Sequence, residues 1–447
     1  MIKRKLRSLY LTWLLDQRFV SLRRAWHEMR HTLLFRKRVV SVFMQLDDPY
    51  CYLLSVYLAP VINRYRGKVE FRLYLCQALG GEFMPQPGML SDYAMQDARL
   101  VAEELGVPFL DVGDTPAVEF RRQLLDLLAG EHDEEDFAET FTNVLTLYWR
   151  GDAEGVAKLL GRPGGGSDET NVLVGKNQLL LRKMGHYSSA TLHYDGEWYW
   201  GVDRLLYLVR LLDGNKLYRQ KALPDELASL IEATRLKLPA APPAAAKDLP
   251  PIEFFHSFRS PYSYVALKSV FAIAKSFGLR LEVKPLLPMV QRGLSLPRSK
   301  MLYIAKDAAR EAARKKVPFG DIADPVGEGA ERCIAAFYYA KTQKRQFEFL
   351  LHAGKAIFSE GIDVATDDGM QVVAERAGIF WPELAEALED ETWRHEVKKN
   401  RDELTEVGLW GVPTVKIGDL ALWGQDRDWL LARKIEDLCA GGEGIVV

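Results

Sequence analysis

Residues 252–264 read IEFFHSFRSPYSY, and this stretch decides the fold. The apolar run Ile252–His256 reads as a strand. Ser260-Pro261 then reads as a helix start, with Ser suited to the N-cap and Pro to the first helical position. The same reading recurs 212 residues earlier. Val42-Phe43 followed by Asp48-Pro49-Tyr50-Cys51-Tyr52 matches Phe254-Phe255 followed by Ser260-Pro261-Tyr262-Ser263-Tyr264.

Two more blocks repeat in the same order. Tyr93, Asp97-Ala98, Ala102 and Val107-Pro108-Phe109 match Tyr303, Asp307-Ala308, Ala312 and Val317-Pro318-Phe319, at an offset of 210. Lys176-Asn177, Leu181, Gly185, Thr191, Trp200-Gly201 and Asp203-Arg204 match Lys399-Asn400, Leu404, Gly408, Thr414, Trp423-Gly424 and Asp426-Arg427, at an offset of 223. Three ordered matches imply an internal duplication. Each copy has the element order strand, helix, strand, a long helical stretch, two short strands and a last helix beginning near Asp203 or Asp426. That order is an α/β unit with a helical insertion.

The boundaries follow from composition. Residues 236–251, LKLPAAPPAAAKDLPP, suit a semi-extended Pro/Ala linker between domains at 39–235 and 252–447. A length of 447 residues fits at least two cores. Gly161 to Asn171 reads as a surface loop, because no strand precedes its glycines and no GK[ST] follows.

Residues 1–38 stand apart. They hold eleven Lys/Arg and two acids, a net +9 in a chain whose total is −2. Leu6, Tyr10, Trp13, Leu14, Leu22, Trp26, Met29 and Leu33 have helical spacing. Such a basic amphipathic helix fits an anionic membrane surface, or packs its apolar stripe on the body or on a second subunit. Oligomerisation through it stays open.

The near-neutral total gives no electrostatic reason to bind nucleic acid. Four scattered cysteines, none in a CxxC, point to neither a disulfide framework nor a metal site. No apolar run approaches a membrane span, and no secretory signal pattern appears. A cytoplasmic location, peripheral to a membrane if the basic segment binds one, is the expectation.

The SPYSY run at 260–264, the run from Lys300 to Ala312 with Val317-Pro318-Phe319, Gly411-Val412-Pro413-Thr414 and Trp423-Gly424-Gln425-Asp426-Arg427 together resemble a DsbA-like thioredoxin-fold family. Within it, residues 252–438 resemble 2-hydroxychromene-2-carboxylate isomerases and kappa-class glutathione transferases. Residues 39–212 are similar but more divergent. The resemblance implies an α/β fold of two tandem thioredoxin-like domains, the second with a glutathione-type site.

The DsbA arrangement places a nucleophilic Cys at the N-terminus of the first helix. Ser260 stands there instead. Its hydroxyl can donate to a bound thiolate while the helix end supplies positive potential. Capping of the helix by Ser260 is compatible with that role. By resemblance Pro413 is cis, and the backbone of Val412 pairs with the cysteinyl part of glutathione; the residue-level alternative is a strand-initiating proline. Gln425, Asp426 and Arg427 are implied to grip the γ-glutamyl end, Asp426 on its ammonium; alternatively Asp426 caps the last helix. His256, Tyr262 and Ser263 are substrate-pocket candidates, with interior packing as the alternative for His256 and Tyr262.

The first domain departs from this pattern. Asp48 stands at the nucleophile position, where a carboxylate repels a thiolate. Ala190 replaces the proline, and Cys51 lacks a partner. Cys333 falls in an apolar helical pattern. The reading is a glutathione-dependent isomerase or transferase-like enzyme acting on a small molecule through the second domain, without a metal. In an isomerisation, thiolate addition would permit bond rotation before expulsion. A non-catalytic thioredoxin-fold scaffold is the alternative, and a thiol-disulfide oxidoreductase ranks third.

Overall fold

The structure, a computed structural model, describes residues 12–109, 118–129, 134–160 and 168–441. The described residues divide into two compact units. One comprises 24–235; the other comprises 12–23 with 236–441.

The first unit contains β1 (Val39–Met44), β2 (Glu70–Leu75), β3 (Thr191–Tyr194) and β4 (Glu197–Trp200). They form one sheet in the order β2-β1-β3-β4, with β1 and β2 parallel and both other pairings antiparallel. The second unit contains β5 (Ile252–His256), β6 (Leu281–Pro285), β7 (Thr414–Ile417) and β8 (Leu420–Trp423), in the order β6-β5-β7-β8 with the same directions. Both are α/β thioredoxin-like domains with a helical insertion. Six helices separate β6 from β7. Among the described residues five separate β2 from β3.

The sequence offsets reappear as strand register. Ser41 pairs with His193 and Phe43 with Thr191; Glu253 pairs with Lys416 and Phe255 with Thr414. Thr191 faces Trp200 as Thr414 faces Trp423. Repeated polar side chains make repeated contacts too. The Tyr50 hydroxyl donates to Asp97 at 2.8 Å, and that of Tyr262 to Asp307 at 2.9 Å. Tyr52 donates to the Pro108 carbonyl, and Tyr264 to that of Pro318. The Asn177 amide donates to the Leu75 carbonyl, and the Asn400 amide to that of Pro285. Each bond ties a helix or strand to its neighbour across a buried core, where an unmade bond would cost about 1–3 kcal/mol.

The helix Pro261–Phe277 packs on β5 and on the last helix, Asp428–Cys439. Their inward residues Val265, Leu267, Ile273, Leu430 and Ile435 are buried with Phe254 and Phe255. This packing holds the N-terminus of Pro261–Phe277 at the end of β5.

The 236–251 segment is no free spacer. It contains a 3-10 turn, Ala244–Asp248, whose Ala246 is buried, and the Pro242 ring lies against Gly278. Short apolar side chains let this Pro/Ala stretch pack. Of the expected Gly161–Asn171 loop, 161–167 lie outside the described residues, and Asp168–Asn171 open the helix Asp168–Met184. Asp168 and Glu169 suit that first turn because carboxylates favour a helix N-terminus. The 1–38 segment is divided at Arg23, and Leu6 and Tyr10 lie outside the described residues. Leu14 and Leu15 pack with Ala309 against Leu302, Phe319 and Ile322. The helix Gln17–Leu33 buries none of its residues.

Candidate active site

Ser260 is the N-cap of Pro261–Phe277, with extended backbone at φ −86° and ψ 112°. Its Oγ accepts from the Ser263 amide at 3.1 Å and donates to the Val412 carbonyl at 3.5 Å. Capping and an approach to the 410–414 loop thus coexist in one hydroxyl. The Val412–Pro413 peptide is cis. The loop is closed by Gly424 N–H donating to the Pro413 carbonyl at 2.9 Å and by the Thr414 hydroxyl donating to the Gly411 carbonyl.

Two glycines are required here. A Cβ on Gly411 would lie 2.1 Å from the Trp423 ring, which also meets Trp410 edge-on at 5.0 Å. Gly424 has φ +122°, and a Cβ there would lie 2.5 Å from the Asp426 carboxylate.

Gln425 and Arg427 are buried, and Asp426 is partly exposed between them. The last helix starts at Asp428, later than the sequence pattern suggested, and Arg427 rather than Asp426 is its N-cap residue. Asp428 takes the early position because its carboxylate receives Lys315 Nζ at 2.7 Å. Lys315 also donates to the Gln425 carbonyl at 2.6 Å, which fixes the turn. Asp426 therefore sits in a turn ahead of the helix, 3.8 Å from the Arg427 guanidinium.

The pocket candidates are mostly interior. His256 is 3% exposed, and burial pushes its pKa down to about 3. It is neutral near pH 7, and its Nδ1 has no hydrogen-bond partner among the described residues. Ser263 is fully buried, with its Oγ receiving the Ser257 amide. Tyr262 is held by Asp307.

Sequence reasoning missed Arg292, which follows β6. Its Nη1 donates to the Trp410 carbonyl at 3.0 Å. Its Nε and Nη2 are buried without a hydrogen-bond partner among the described residues, and burial pushes its pKa down to about 10. It remains a cation near pH 7. A lone Arg in a connection without secondary-structure periodicity carries no pattern signal, so nothing in the sequence marked it. Burial also pushes Lys300, near the start of Arg298–Lys315, down to about 8.

Several buried polar atoms near this loop lack hydrogen-bond partners among the described residues. The Arg292 N–H groups and Trp410 Nε1 are buried donors, and Gln425 Oε1 is a buried acceptor without a partner among the described residues. Desolvated polar atoms cost free energy unless a ligand pairs them.

The first unit handles the same positions differently. Asp48 caps Pro49–Tyr65 by accepting from the Tyr50 amide at 2.9 Å. The Ser189 hydroxyl, at the position of Val412, donates to the Asp48 carboxylate at 2.6 Å. Ala190 stands for Pro413 at φ +53°, a left-handed conformation costly for Ala. Burial raises the Asp48 carboxyl pKa, and burial with the nearby Asp48 charge raises the Cys51 thiol well above its usual value. All four cysteines are free, and Cys51, Cys76 and Cys333 are buried. No group of acids, His and Cys suited to a metal occurs among the described residues.

Residues 251–436 match the family model of the DSBA-like thioredoxin domain, and the second half of the chain is such a domain. The chain is similar to the 2-hydroxychromene-2-carboxylate isomerase of Sphingobium xenophagum, 27% identical over 184 residues, covering 39% of this chain and 93% of that protein. It is similar also to the enzyme of that name from Pseudomonas putida, 25% identical over 200 residues, covering 42% and 95%. Among solved structures, a 2-hydroxychromene-2-carboxylate isomerase covers 42% of this chain and 96% of its own, at 22% identity and a TM-score of 0.37.

Proposed function

We propose that the second domain binds glutathione and catalyses a glutathione-dependent isomerisation or transfer on a small molecule. The DsbA-like domain and the isomerase names of its relatives support an isomerase or a thiol-oxidoreductase type of activity. The observation that carries the finer reading is Ser260. It places a hydroxyl at a helix N-terminus, 3.5 Å from the Val412 carbonyl, at the position where an oxidoreductase needs a cysteine.

Glutathione, when bound, supplies the thiolate nucleophile. Ser260 donates to that sulfur, and the helix end favours its negative charge. Val412 offers its backbone to the peptide portion. Gln425 and Asp426 receive the ammonium, and Arg292 pairs with a carboxylate. Tyr262 and Asp307 hold the first turn of Pro261–Phe277 in place. A disulfide-exchange reading is disfavoured because attack and resolution need two adjacent thiols.

The test is ultraviolet thiolate absorbance of glutathione against pH, with wild type and Ser260→Ala. A charge-assisted hydrogen bond contributes about 1.5–3 kcal/mol. Ser260→Ala should then raise the bound thiol pKa by about one to two units. An unshifted thiol pKa on the wild type would leave Ser260 with its capping role alone.

A further inference from the structure

The helix Gln17–Leu33 is amphipathic in the opposite sense from a docked helix. Arg24, His27, Glu28 and His31 recur at i, i+3, i+4 and i+7, which is one face. That face is the tethered one. Arg24 makes a bidentate ion pair with Glu197, at 2.7 Å for each bond. His31 Nε2 lies 2.9 Å from the Asp195 carboxylate, and Glu28 pairs with Arg38. Phe19, Leu22, Trp26, Met29 and Leu33 recur at three- and four-residue spacings. At about 100° per residue, their mean direction is opposite the tethered face. All five are exposed, Leu22 and Leu33 at 65%. The chain then turns through Phe35, which has φ +48° and is 94% exposed. An exposed apolar stripe of this length on a tethered helix marks an interaction surface.

Charge identifies its occupant. Residues 1–38 carry a net +9 and the whole chain −2. Arg18, Arg23 and Arg30 flank the stripe, and Arg30 lies over the Trp26 ring at 4.4 Å. Arg36 and Lys37 follow at its end. A second copy docking by the same face would set these cations against one another, because a two-fold interface repeats one patch on both sides. An acidic surface with an apolar interior meets both requirements. An exposed apolar stripe flanked by cations is the pattern of a helix that lies in the plane of a bilayer surface.

We propose that the 17–37 segment docks the protein on an anionic lipid bilayer, with Leu22, Trp26, Met29, Leu33 and Phe35 in the headgroup–acyl boundary and the flanking cations on lipid phosphates. This inference is independent of the glutathione reading. The test is flotation of the full chain with vesicles of phosphatidylcholine alone and of phosphatidylcholine with phosphatidylglycerol. Binding should require the anionic lipid and weaken with added salt. Each of Arg30→Gln and Lys37→Gln should weaken it about fivefold. The triple variant Leu22→Ser, Trp26→Ser, Met29→Ser should abolish it while the circular dichroism spectrum stays that of the wild type, since all three side chains are exposed and none belongs to the buried core. Absence of flotation with anionic vesicles would overturn the proposal. So would binding that survives the triple variant, or a wild-type dimer, blind to vesicles, that the triple variant turns into a monomer.

Discussion

The strand-to-helix turns at Asp48 and Ser260 are built on one backbone plan and hold opposite chemistry. Both cap a proline-started helix, and both follow a strand whose register with the next antiparallel strand is the same. In the second half the capping hydroxyl reaches a backbone carbonyl beside a cis proline. In the first half the capping carboxylate is consumed internally by Ser189, whose hydroxyl fills the position that Val412 offers as backbone. The fold tolerates either solution because the contacts that hold it lie elsewhere: a Tyr hydroxyl on an Asp, a Tyr hydroxyl on a Pro carbonyl, and an Asn amide on a strand end. Fold and site are thus separable in this chain, and the second half alone pairs a hydroxyl cap with a cis proline among the described residues.

The comparison can be broken most severely by moving the first half's residue into the second. Ser260→Asp keeps a good N-cap but sets a carboxylate against the bound thiolate. Glutathione-dependent turnover should fall about a hundredfold or more, the scale of losing one aimed donor while adding repulsion. Steady-state kinetics on an isomerisable substrate would show it; unchanged turnover would mean that Ser260 does not face the thiol.

A second exchange concerns packing. Ser188 stands where Gly411 stands, and Trp200, the counterpart of Trp423, is 37% exposed. The first half therefore carries a side chain at this loop position that the second cannot. Gly411→Ala should cost about 1–3 kcal/mol through overpacking against Trp423. Ser188→Gly should cost about 1 kcal/mol or less. Urea unfolding of the two variants measures both, and equal costs would remove the packing distinction.

Smaller still is the cap. Ser260→Ala should lower stability by about 0.5–2 kcal/mol. Thermal unfolding measured without glutathione separates that loss from the thiol effect.

The smallest effect is a pH dependence confined to the first half. Burial raises the Asp48 carboxyl pKa above its unfolded value near 3.8. A group raised in this way gives its full stability below the unfolded pKa and loses it as pH rises through the folded pKa. Asp48→Asn buries no charge. Relative to wild type it should gain stability between pH 4 and pH 7, and the gap should close at the acidic end. Chemical unfolding at those two values checks the sign.

Much of this was legible in the residues. The offsets of 212 and 223 anticipated which residues pair across both sheets, because pairing register is fixed by side chains that must face one core. Ser260, Pro413 and the 423–427 run were visible as motifs. The start of the last helix was not: Asp426 and Asp428 are equally good helix-start residues, and a distant partner, Lys315, decides between them. Arg292 was invisible for a similar reason, since its meaning comes from burial beside Trp410 and not from its neighbours in sequence. The stripe along Gln17–Leu33 was read correctly as amphipathic, but periodicity alone does not say which face is docked. Of the named stripe residues that are described, Leu14 packs on the body, while Trp13, Leu22, Trp26, Met29 and Leu33 are exposed, which leaves the membrane and second-subunit readings for them.

The central claim is that a single thiol site survives, in the second half. Calorimetric titration of the full chain with glutathione tests it directly. The account predicts one site per chain, lost in Asp426→Ala and in Ser260→Asp and retained in Asp48→Ser and Asp203→Ala. Two sites, or one site lost on changing Asp48 and indifferent to Asp426, would contradict it.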